Sequence, residues 1–174
     1  MKVFLFAIHD NGQQHFTLAD AMRTELGWDA KSMVMKESYL GFKTDWTYEK
    51  NLKEAQEFIE DTDLFIFQDM LMCVDGLELQ KYAGHKNTII NGTGSMMRAN
   101  IPILREMQKE GWKMVTSLCD STIASHIASP PFQNWIVPIE RINELTKGIE
   151  RNEEFSICHA PTNTRGKGTE KIEK

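Results

Sequence analysis

The chain has 174 residues, of which 41% are hydrophobic and 26% charged, with 11 glycines and 5 prolines. That balance supports a buried core and excludes a fibrous or disordered protein. Lys and Arg number 20 against 25 Asp and Glu, a net charge of −5, which is the wrong sign for a dedicated duplex nucleic-acid binder; no apolar run approaches the roughly 18 residues of a membrane span.

Val3-Phe4-Leu5-Phe6-Ala7-Ile8 is apolar at consecutive positions, as in a parallel strand covered on both faces. It is expected at the centre of a sheet and reads as a strand rather than a secretory leader, ending in His9-Asp10-Asn11-Gly12. Phe16, Ala19, Met22 and Leu26 then recur at helical spacing until Gly27 stops the helix. A second strand is predicted over residues 31–35, a loop over 36–46, and a helix whose buried face is Tyr48, Leu52, Ala55 and Ile59. A third strand follows at 64–67, a helix at 75–83 closed by Gly84, and a fourth strand at 88–90 that runs into Asn91-Gly92-Thr93-Gly94-Ser95. Pro102 suits a first helical turn, with Ile103, Leu104 and Met107 as its buried face and Gly111 as its stop. Strands at 113–116 and 135–137 complete the series, separated by a short helix at 120–126 that Pro130-Pro131 cannot continue.

Strands alternating with helices predict an α/β fold, a doubly wound, Rossmann-like parallel sheet spanning residues 1–140. Ligands of such sheets bind beyond the carboxyl ends of the strands, which directs attention to residues 9–12, 68–73, 91–98 and 117–121. Residues 141–154 form a charged, helix-competent connection, and residues 155–174 a strand and one helical turn that open a second Rossmann-like domain. One turn of helix is marginal alone, so the remainder of that domain is expected to be missing.

Asn11 and Gly12 lie between a buried strand and a helix amino terminus, where N–H groups and the helix dipole favour an anion or a polar ligand and Gly12 permits close approach. The alternative is an ordinary strand-to-helix turn. Gly94, Ser95 and Arg98 combine glycine, a hydroxyl and a forked donor that can cradle phosphate or sugar, against the alternative of a plain loop. His9 is the candidate base at the ligand edge, or else a structural histidine; His15, His85 and His126 read as structural. Asp61-Thr62-Asp63 precedes its strand and is expected in a solvated loop at the opposite end of the sheet. Cys73, Cys119 and Cys158 have no CxxC spacing, and HxxxH and HExxH are absent, so no metal site or disulfide framework is expected and a cytoplasmic location is. In the tail, Lys167 is placed to meet a phosphate near a helix amino terminus.

That tail, His159-Ala160-Pro161-Thr162-Asn163, a three-residue spacer and Lys167-Gly168-Thr169, resembles the opening of the second domain in retaining glycosyltransferases of the two-Rossmann-domain (GT-B) type, in the large group often called group 1 or family 4. Gly94-Ser95-Met96-Met97-Arg98 is similar to the family's Gly-Ser-x-x-Arg, and Trp135-Ile136-Val137-Pro138-Ile139 to the segment before its interdomain hinge. Thr93 and Thr164 stand where the family often has His and Arg. The resemblance implies that the first domain holds the acceptor and the second a nucleotide sugar, with Lys167 and Arg165 on the donor diphosphate. It implies transfer without metal or cofactor, because cationic side chains and helix dipoles stabilise the leaving diphosphate. The expected function is therefore the N-terminal half of a hexosyltransferase-like enzyme, inactive without its donor domain. Read from the residues alone, the alternative is a non-catalytic sugar- or phosphate-binding Rossmann-like module acting with a partner; a nucleotide-sugar epimerase is a third possibility.

Overall fold

The uninterrupted apolar run at the amino terminus forms β1, Lys2–Ala7, and Val3 through Ala7 are fully buried. The computed structural model describes residues 1–10, 13–38, 41–68, 74–92, 99–116 and 147–148. Internal contacts divide the chain between Val137 and Pro138, and all described residues but Lys147 and Gly148 fall in the first part.

Five further strands are β2 (Asp29–Val34), β3 (Trp46–Thr47), β4 (Leu64–Gln68), β5 (Thr88–Gly92) and β6 (Lys113–Thr116). Among the described residues, four helices lie between the strands: α1 (Gln14–Leu26), α2 (Tyr48–Ile59), α3 (Leu79–Tyr82) and α4 (Ile101–Lys109). Every strand pair is parallel, and the order across the sheet is β3-β2-β1-β4-β5-β6. This is the Rossmann order, reversing direction between β1 and β4, and such a reversal opens a crevice at the carboxyl ends.

Handedness sorts the helices. The β1-to-β2 and β2-to-β3 connections travel one way along the sheet and the later ones the other way; α1 belongs to the first group and α2, α3 and α4 to the second, so right-handed connections put α1 on one face and the remaining helices on the opposite face. On the α1 face Val3, Leu5, Ala30 and Ile66 pack with Ala19. On the other, Phe4, Phe6, Phe65 and Phe67 pack with Ala55, Phe58 and Ile59 of α2, while Ile90 and Met114 meet Leu104 of α4. The aromatic rings form a connected set: Phe4 lies 6.4 Å from Phe65 and 6.3 Å from Phe58, and Trp46 meets Phe58 edge-on at 5.2 Å. Contacts of that kind add about 0.5–1.5 kcal/mol beyond the area they bury. Gly27 ends α1 in the left-handed conformation (φ 63°) and donates its N–H to the carbonyl of Met22, as a helix stop of this type requires.

Four local expectations change. The stretch 36–46 ends in the edge strand β3, whose two residues pair with Met33 and Val34. Asp45 pins it there, accepting hydrogen bonds from Ser32 N at 2.8 Å, Ser32 Oγ at 3.0 Å and Arg23 Nη1 at 3.0 Å. The helix expected over 75–83 is only the single turn of α3, since Gly76 (φ 76°) and Glu78 (φ 44°) hold the preceding residues in turns. Asn91 and Gly92 are the last residues of β5, not a loop. In α4 the inward residues are Ile101, Leu104 and Met107, and Ile103 is 52% exposed, because a stripe at spacing three leaves position 103 on the outer side. The strand at 135–137 and the helix at 120–126 lie outside the described residues.

Candidate functional site

Among the described residues, the crevice edge is formed by those that follow β1 and β2 and by the last residues of β4 and β5. Past Ala7 the β1 backbone stays paired, with Met35 N donating to Ala7 O and Lys36 N to Ile8 O, both at 3.0 Å. That pairing sets Lys36 beside the β1 extension. His9 comes next and is exposed; it stands at the carboxyl edge as the sequence suggested.

Asp10 is only 4% exposed, and its use is local. Its two carboxylate oxygens accept the N–H groups of His15 and Phe16, each at 2.9 Å, while Gln13 enters the helix with φ 59° and donates its own N–H to Asp10 O. Two first-turn donors of α1 are thus taken by the protein's own carboxylate, which also sits well in the dipole of the helix. An incoming anion at this helix end meets a like charge. Asn11 and Gly12 themselves lie outside the described residues.

His15 occupies the second position of α1, 1% exposed, and neither Nδ1 nor Nε2 has a hydrogen-bond partner. Burial pushes its pKa down from 6.5 to about 4, with the Asp10 charge opposing the shift, so the imidazole is neutral near neutral pH. The register also places Gln68 of β4 opposite Asn91 of β5. These two alternate with Phe67 and Ile90 and so share the α1 face with Ile66 and Ile89. Both are buried, and Asn91 Oδ1 has no partner. The α1 face of the crevice edge is therefore polar: an imidazole and two amides beside the Asp10 carboxylate.

On the far side of β1 a second set forms at the ends of β2 and β3. Met35, Lys36, Glu37, Thr47, Glu49 and Lys50 line a cavity of about 260 Å³. Lys50 Nζ and Glu37 Oε1 are 2.6 Å apart across it, and this hydrogen bond holds the ammonium above its ordinary pKa. Thr47 precedes α2 without capping it, and its Oγ1 is buried with no partner. Sequence reasoning missed this set because 36–46 carries no apolar run, although an acidic residue just past the second strand of a Rossmann-like sheet is a usable signal.

Of the residues singled out by sequence, His9 is placed at the crevice edge, whereas Asn11, Gly12, Gly94, Ser95, Arg98, Arg165 and Lys167 lie outside the described residues. Asp61 and Asp63 sit at the amino end of the sheet, where Asp61 pairs with Lys2 Nζ and Asp63 accepts the Lys2 N–H at 2.7 Å. Among the described residues no three His, Cys, Asp or Glu side chains gather as a metal site, and no helix is long and apolar enough to cross a membrane. No family model, curated protein or solved structure matches the chain.

Proposed function

We propose that this chain supplies the acceptor-side domain of a GT-B glycosyltransferase of the group 1 or family 4 type, which moves a sugar from a nucleotide-sugar donor to an acceptor. The observation that carries the reading is a parallel sheet of order β3-β2-β1-β4-β5-β6 in a chain that continues into His159-Ala160-Pro161-Thr162-Asn163 and Lys167-Gly168-Thr169. In this reading the acceptor lies at the carboxyl edge, where the exposed His9 takes a proton from the attacking hydroxyl. Gly94, Ser95 and Arg98 contribute to the same wall. Arg165 and Lys167 offset the charge of the departing diphosphate, the step at which electrostatic stabilisation counts most.

The test uses protein expressed from the complete reading frame, incubated with a panel of nucleotide sugars and followed by release of nucleoside diphosphate. Release is expected with at least one donor, undiminished by a metal chelator, and reduced on the order of a hundredfold by His9→Ala. Sugar binding with no release from any donor would favour the non-catalytic module, and isomerised donor with no acceptor product would indicate an epimerase.

A further inference from the structure

We draw no further inference here: the strongest candidate, the buried polar side chains of His15 and Asn91 on the α1 face of the carboxyl edge, has its unpartnered atoms closed off from solvent, so no ligand reaches them.

Discussion

The amino ends of α1 and α2 face the same edge of the same sheet and are finished in opposite ways. At α1 a buried carboxylate closes the helix, Asp10 accepting two N–H groups at 2.9 Å, with the unpartnered imidazole of His15 behind it. At α2 the capping position holds a threonine whose hydroxyl caps nothing, and the first turn is irregular, with Asn51 at φ −126° and ψ 26°. The difference teaches that position in a Rossmann-like sheet does not by itself open a helix end to ligands. What matters is whether the chain has already spent those donors on itself.

The largest effect expected from this contrast is a pH dependence lodged at α1. The unfolded imidazole binds a proton near pH 6.5 that the folded one refuses until about pH 4, so this contribution is intact above pH 6.5 and is lost as pH falls toward 4. The loss approaches about 3 kcal/mol. Urea denaturation at pH 7 and pH 4.5 measures it, and His15→Leu should flatten the difference; equal slopes in the two proteins would show that the imidazole is not buried and neutral. Next in size, Asp10→Ala removes a cap and strands buried donors, a cost of about 2 kcal/mol at pH 7 in the same assay. Smallest is Thr47→Val, which exchanges an unpartnered buried hydroxyl for a methyl group and should leave stability unchanged or raise it by about 1 kcal/mol. A loss as large as that of Asp10→Ala would mean that Thr47 caps α2 after all, and the comparison would collapse.

The fold was legible because its central strands announce themselves. Residues 3–7 and 64–67 are continuously apolar, as strands covered on both faces are, although the run continues into the exposed Ile8, and Gly27 marks the end of α1 as its left-handed conformation demands. The edge strand β3 was not legible, since two residues carry no periodicity and its placement depends on Asp45 reaching Ser32 and Arg23 through tertiary contacts. The site was legible in location more than in chemistry. His9 could be assigned to the crevice edge from its place after β1, but that Asp10 caps α1 and that His15 turns inward depend on the path of the turn between them. A burial stripe of Phe16, Ala19, Met22 and Leu26 gives no hint of it, whereas the observed buried residues of α1 are His15 and Ala19.

The short edge strand has a kinetic meaning. β1 is paired with β2 along its whole length and with β4 over Val3–Phe6, whereas β3 holds the sheet by two residues and by the contacts of Thr44 and Asp45 with Ser32. Amides of β1 should exchange with solvent only through global unfolding, while those of Trp46 and Thr47 exchange through a local opening that leaves the rest of the sheet intact. One wall of the cavity at the end of β2 is therefore the part of the sheet that opens most readily, and it should be the first part of the sheet to take up deuterium.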